Sequence, residues 1–216
     1  MNTDFARQQM IEQQVRAWDV LDENVLDGLK EVRRELFVAE NYAALAFADT
    51  EIPLGHGQKM MTPTIEGRLL QALELAGGEK VLEIGTGSGF LTACLATMAT
   101  DVTSIDIYDD FLEAAEQRLA TCEIENVSLH KMDGTIALPA GSYDAIAVTG
   151  SIQTFDERLV EALNPGGRLF VVVGDAPAMA AIRVTRIDEN EWQSDTLFET
   201  ELAPLVNGAL PPQFSF

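Results

Sequence analysis

The sequence predicts an α/β protein, a mostly parallel, twisted sheet of about seven strands flanked by helices, with a helical N-terminal extension. Three observations carry this expectation. From Lys80 onward, short apolar strand-like runs alternate with helical stretches, the order that a parallel sheet covered on both faces requires. Over the first sixty residues, apolar side chains recur at helical spacing with no strand signal nearby. The last two segments, Ala181–Asp188 and Trp192–Thr200, alternate like an antiparallel pair closing the sheet.

The elements follow in order. Thr3 suits the N-cap of a helix whose face carries Met10, Ile11, Val15 and Trp18. A second helix starts near Asp22, with Val25, Leu26, Leu29 and Val32 on one side. Pro53–Gln58 reads as a loop rich in glycine and proline. Thr62-Pro63 opens a helix that runs to about Leu75, where Gly77-Gly78 ends it; Ile65, Leu69, Leu70 and Leu73 form its apolar face. Strands are expected at Lys80–Ile84, Val102–Ile107, Val127–Met132, Tyr143–Val148 and Arg168–Val173, and helices at Gly89–Met98, Asp109–Ala120 and Thr154–Leu163. Asn164-Pro165-Gly166-Gly167 is a turn before the fifth strand. With no repeat, linker or low-complexity segment, residues 1–216 read as a single domain, 1–62 the helical extension with its loop and 63–216 the α/β core.

Composition excludes several classes. Apolar residues make up 47% of the chain, yet no uninterrupted apolar run reaches the roughly eighteen residues of a membrane span, and the start is polar. Cys94 and Cys122 lack paired-ligand spacing and read as reduced thiols of a cytoplasmic protein. His56 and His130 lie far apart, so no metal site is expected. The formal net charge of -21 repels phosphate backbones and anionic lipid, and no basic cluster exceeds Arg33-Arg34. Nucleic acid and membrane are therefore not expected as partners.

The run Val81-Leu82-Glu83-Ile84-Gly85-Thr86-Gly87-Ser88-Gly89 passes from a strand into a helix through a glycine-dense turn. Such a turn lets backbone approach a ligand closely and leaves N–H groups free at the helix start. The dinucleotide fingerprint places its third glycine three residues after the second, whereas here Gly85, Gly87 and Gly89 alternate, with Glu83 inside the strand end. That is the style of an S-adenosylmethionine site, where no pyrophosphate is cradled. Asp106 ends the second strand, where a carboxylate accepts from two ribose hydroxyls, and Asp133-Gly134 ends the third, where it meets an adenine. All these residues lie at C-terminal strand ends, the ligand-binding edge of open α/β sheets.

Taken together, these motifs resemble the protein-L-isoaspartate O-methyltransferases. Val81–Ala96 is similar to that family's first methyltransferase motif, and Arg7–Ile11 and Val32–Val38 to its N-terminal signatures. Pro53–Gln58 with Pro63 resembles its substrate loop, and Phe198–Leu205 its C-terminal substrate segment. The resemblance implies a Rossmann-like methyltransferase fold and transfer of a methyl group from S-adenosylmethionine, leaving S-adenosylhomocysteine, to the abnormal carboxylate of isoaspartyl residues in damaged protein. It implies cofactor contacts from Glu83, Gly85, Thr86, Gly87, Ser88, Gly89, Asp106, Asp133 and Gly134, and substrate contacts from His56, Gln58, Pro204 and Leu205. Where the family's loop carries a serine, this chain has Met61, which cannot donate a hydrogen bond. Thr62 and Lys59 are the neighbouring candidates to hold the target anion, with Thr62 equally readable as a helix N-cap. A methyltransferase of the same lineage with another acceptor, or a protein that binds S-adenosylmethionine without turnover, remain the alternatives at this point.

Overall fold

A computed structural model describes residues 3–208; the expected domain bounds, 1–216, extend past both ends of it. Helix α1 (Thr3–Met10) continues through a wide turn at Ile11–Val15 and a tight one at Arg16–Trp18, and Asp19 at φ 61° stops it. Met10, Ile11 and Val15 are buried as expected, but the tight last turn swings Trp18 off that face, leaving it 53% exposed. Helix α2 (Glu23–Glu31) is capped by the Asp22 carboxylate, which accepts the Asn24 N–H at 2.9 Å.

The segment expected as a loop is a hairpin. Strands β1 (Ile52–Gly55) and β2 (Gln58–Met60) pair antiparallel around His56-Gly57, both at positive φ, and Pro53 is tolerated because this small sheet has only edges. Helix α3 (Pro63–Leu73) starts where expected, with Thr62 Oγ1 accepting the Ile65 N–H at 3.4 Å. It ends two residues early, because Glu74 takes the left-handed conformation ahead of the glycines.

Strands β3 (Lys80–Ile84), β4 (Asp101–Asp106), β5 (Val127–Lys131), β6 (Tyr143–Ile152), β7 (Leu163–Asp175), β8 (Ala178–Asp188) and β9 (Glu191–Glu199) form one sheet in the order β5-β4-β3-β6-β7-β8-β9. The first five run parallel, and β8 and β9 return antiparallel, so the expected fold class and closing pair are observed. Helices α4 (Phe90–Met98) and α5 (Asp109–Thr121) connect β3 to β4 and β4 to β5. The helix expected at 154–163 shrinks to one turn, α6 (Arg158–Glu161). Asp156 and Arg158 are the reason: the carboxylate binds the Arg158 N–H and guanidinium, and that guanidinium also donates to the Thr135 and Ile136 carbonyls, holding the preceding chain outside a helix.

Alternation along the central strands sorts side chains into two cores. Val81, Ala145, Ala147, Phe170 and Val172 face the large cluster built with α2, α3 and α4, to which the N-terminal residues Met10, Val15 and Leu29 belong. Leu82, Ile84, Ile146, Val148, Leu169 and Val171 face the other way, against Leu159 and Val160 of α6. Chain order reverses between β3 and β6, their nearest sheet neighbours running off in opposite directions, and this switch point opens the crevice described next.

Candidate active site

The crevice is a cavity lined by Gly85 and Gly87 after β3, Asp106 and Tyr108 after β4, Asp133 and Gly134 after β5, and Thr149 and Gly150 within β6. Glu51, just before the hairpin, and the hairpin residues Leu54, Gln58 and Lys59 lie across it, and Leu202, Ala203, Leu205 and Val206 form a further wall.

The turn after β3 needs its glycines. Gly85 has φ 102°, and a Cβ there would stand 2.1 Å from Thr149 Oγ1; Gly89 has φ 83°, and its Cβ would stand 2.9 Å from the Ala115 Cβ. The Thr149 hydroxyl donates beneath the turn, 2.8 Å from the Gly85 carbonyl and 3.0 Å from that of Ile84. The Gly85 N–H donates to the Ile105 carbonyl at 2.8 Å, drawing the turn against β4.

Asp106 is 8% exposed. Its Oδ2 accepts the Gly87 N–H at 2.9 Å and its Oδ1 the Tyr108 N–H at 3.0 Å. Burial pushes this carboxyl above its ordinary range, and the N–H groups of Gly87, Tyr108 and Ile107 offset that only in part. At Asp133 burial also pushes upward, but hydrogen bonds from Thr135 and Asn207 outweigh it, so the carboxylate sits below its usual range. Thr135 donates to Asp133 Oδ1 through N–H and hydroxyl at 2.9 and 2.6 Å, and Asn207 donates to Oδ2 at 2.8 Å.

Four residues of the glycine motif turn away from this cavity. Glu83 lies fully buried under the turn, where Thr92 and Ser104 hydroxyls donate to its Oε2. Burial raises its carboxyl to about 8 against those two hydrogen bonds. Thr86 Oγ1 lies 2.6 Å from Ser104 Oγ, and Ser88 Oγ accepts the Phe90 N–H at 3.2 Å, so both hydroxyls are committed inward. Glu83, Thr86 and Ser88 border a second, smaller cavity shared with Met60, Met61 and Glu66, while Gly89 caps α4 and packs on Ala115.

Lys59, Met61 and Thr62 lie in different surroundings. Lys59 lines the main cavity, its Nζ 2.5 Å from Glu51 Oε2. Met61 is 6% exposed, and its carbonyl accepts from Arg34 Nη2 at 2.8 Å. Arg34 is itself fully buried, donates to the Ala46 carbonyl at 3.0 Å, pairs with Glu66 and lies 4.7 Å over the Phe90 ring. Thr62 serves as the α3 cap and contacts Thr64 Oγ1 at 2.9 Å. Gln58 and Leu205 line the main cavity, but His56 and Pro204 do not. Pro204 bridges to Ser151, whose N–H donates to the Ala203 carbonyl and whose carbonyl accepts the Leu205 N–H, both at 2.9 Å. Among the described residues, no three His, Cys, Asp or Glu side chains are grouped so as to hold a metal ion.

Residues 5–210 match the family model of protein-L-isoaspartate(D-aspartate) O-methyltransferase. The chain belongs to this family. Membership brings the expected activity and cofactor: this is an O-methyltransferase dependent on S-adenosylmethionine. Protein-L-isoaspartate O-methyltransferase 1 of Rhodopseudomonas palustris is 38% identical over 208 residues, covering 94% of this chain and 85% of that one. Its namesake from Geotalea uraniireducens is 35% identical, covering 94% of each. Two solved structures share the fold. One is a Plasmodium falciparum chain named as a beta-aspartate methyltransferase, in complex with S-adenosyl-L-homocysteine, with a TM-score of 0.78 at 20% identity over 92% of this chain and 97% of that one. The other, a protein-L-isoaspartate O-methyltransferase, has a TM-score of 0.79 at 22% identity over 92% of this chain and 65% of that one.

Several residues of this methyltransferase's site carry no motif. Thr149 and Gly150 follow the expected fourth strand, Tyr143–Val148, at the same C-terminal edge as the motif residues, but no sequence pattern marks them. Tyr108 reads only as the residue before a helix, and Phe111 only as part of that helix's first turn. Asn207 gives no local signal, and Arg34, although inside the Val32–Val38 signature, gives none of its bond to Met61, since the partner of each is distant in sequence.

Proposed function

We propose that this single-domain, cytoplasmic enzyme methylates the carboxylate of isoaspartyl residues in damaged proteins and peptides, with the cofactor in the cavity at the switch point. The observation that carries the reading is Asp106. Its two carboxylate oxygens each accept one backbone N–H and keep lone pairs beside a cavity flanked by Gly85, Gly87 and Asp133. An S-adenosyl group fits those donors and acceptors: a ribose diol at Asp106 and an adenine amino group at Asp133, with Ile107 and Met132 adding apolar lining. When bound, it supplies an electrophilic methyl group on a sulfonium.

The residues of this chain do the remaining work. A carboxylate acceptor is already ionised at neutral pH, so no general base is required. Lys59, the one cation lining the main cavity among the described residues, attracts that anion, its charge moderated by Glu51. Leu54, Leu202 and Leu205 exclude water from the line of transfer. Thr62 is spent as a cap, and Met61 contributes apolar surface and a carbonyl anchored by Arg34. The net charge of -21 supports peptide partners over nucleic acid or an anionic membrane; among the described residues no helix is long and apolar enough to cross a membrane.

The deciding experiment incubates purified protein with methyl-labelled S-adenosylmethionine and paired peptides differing only in an isoaspartyl or aspartyl linkage. Label is expected on the isoaspartyl peptide alone. Cofactor binding by calorimetry without transfer to either peptide would overturn the acceptor assignment, and tighter binding of a nicotinamide dinucleotide would overturn the cofactor assignment.

A further inference from the structure

The β1–β2 hairpin presses on the cofactor cavity from above. A Cβ placed on Gly87 would stand 3.1 Å from Leu54 Cδ1, and one on Gly55 3.7 Å from Phe111 Cε1. The turn residues His56 and Gly57 have φ of 51° and 73°, the left-handed pair of a type I′ turn, where Asn-Gly is favoured. Histidine is tolerated in that region, but asparagine is the better fit, since its short side chain hydrogen-bonds locally there.

What holds His56 there is a cluster on the far side of the cavity mouth. Its ring stacks on Tyr108, with centroids 4.0 Å apart and planes 7° from parallel, and meets Phe111 edge-on at 5.4 Å. Its Nε2 lies 2.9 Å from Asp110 Oδ2, 54 residues along the chain. Tyr108 and Phe111 face each other edge-on at 5.2 Å, and both line the cavity next to Asp106. His56 itself does not line it.

We propose that the hairpin is a clamp over the nucleoside end of the cavity, and that His56 is the positioning residue that latches it to Tyr108 and Phe111 and so sets how fast cofactor and demethylated product leave. This rests on the cofactor assignment above. Release through the hairpin side requires Leu54 to part from Gly87, and the His56 ring must then slide off Tyr108. The stacking energy therefore enters the barrier to release, on the scale of about three- to tenfold in rate. The contact with Asp110 is exposed, with side chains 42% and 65% accessible. It aligns the ring and adds little strength.

The test measures dissociation of S-adenosylhomocysteine from the full chain by stopped-flow competition, in the unmodified protein, His56→Asn and His56→Tyr. His56→Asn suits the turn better, so the hairpin forms at least as readily, but the stacked ring is gone. Its dissociation rate is expected to rise about three- to tenfold, with KM for S-adenosylmethionine rising alongside and kcat not falling. His56→Tyr, which keeps an aromatic plane, is expected to stay within about twofold of the unmodified protein. An unchanged rate in folded His56→Asn, or equal acceleration in His56→Tyr, would overturn the clamp. Absence of any S-adenosylhomocysteine binding by the unmodified protein would instead sink the cofactor assignment, and the clamp with it.

Discussion

The Gly87 N–H donates to Asp106 Oδ2 at 2.9 Å, so the acid ending β4 is tied to the turn that follows β3. One carboxylate thereby shapes the glycine turn and lines the cavity. Asp106→Ala should weaken S-adenosylmethionine binding by about 1.5–3 kcal/mol, the scale for losing a charged hydrogen-bond partner. Calorimetry on the folded variant checks this, and unchanged affinity would move the ribose contact elsewhere.

Arg34 and Glu66 form a buried ion pair whose guanidinium also holds the Ala46 and Met61 carbonyls. Arg34→Met leaves Glu66 buried without its partner and frees the Ala46 and Met61 carbonyls, and should cost about 3–5 kcal/mol of stability. Burial already pushes the Glu66 carboxyl up to about 8 against the pull of Arg34, so adding Glu66→Gln, neutral at every pH, should restore part of the loss, and more of it above pH 8 than below. Urea denaturation of the two variants gives both numbers; no recovery in the double variant would show that the carbonyl contacts dominate.

Glu83 sets a pH dependence. Its folded-state carboxyl is raised to about 8 from an ordinary 4.5, chiefly by burial, with no cation among its hydrogen-bond partners. The folded state therefore holds a proton that the unfolded chain has released, and stability falls as pH rises. The contribution is complete below about pH 4.5 and lost as pH passes through about 8, at about 1.4 kcal/mol per pH unit in between. Glu83→Gln, neutral at every pH, should remove this component. Melting both proteins at pH 6 and pH 9 should show the unmodified one losing ground to the variant; parallel curves would rule it out.

Lys59→Met should lower kcat/KM for an isoaspartyl peptide about tenfold, since the cation at the acceptor end is lost. Thr62→Val should instead cost about 1 kcal/mol of stability through the α3 cap. If Thr62→Val proves the more damaging to turnover, the threonine hydroxyl and not the lysine holds the target anion.

The parts of the site that were legible in the sequence are those whose geometry is local. The Gly85–Gly89 turn, Asp106 and Asp133-Gly134 each sit where a strand ends, and the sheet brings the strand ends together without further instruction. Glu83 was recognisable as part of the motif but not as buried beneath it, because its direction depends on which core each β3 residue faces. His56 illustrates the opposite case. Pro53, Gly55 and Gly57 read as a loop, since nothing in the segment announces that Tyr108 will supply the stacking surface for the hairpin turn. The lost helix at 154–163 has the same origin: Thr135 and Ile136 compete for Arg158 from another part of the chain.

The wall formed by Leu202, Ala203, Leu205 and Val206 comes after all seven strands in chain order, docked on Ser151 through the Ala203 carbonyl, the Leu202 carbonyl and the Leu205 N–H. Translation therefore delivers the sheet before it delivers the enclosure. A nascent chain exposed only through residue 200 owns Asp106, the glycine turn and Asp133, but its cavity is open on one side and the Asn207 partner of Asp133 is still to come. Vectorial synthesis thus separates acquiring the sheet from acquiring the last wall of its cavity.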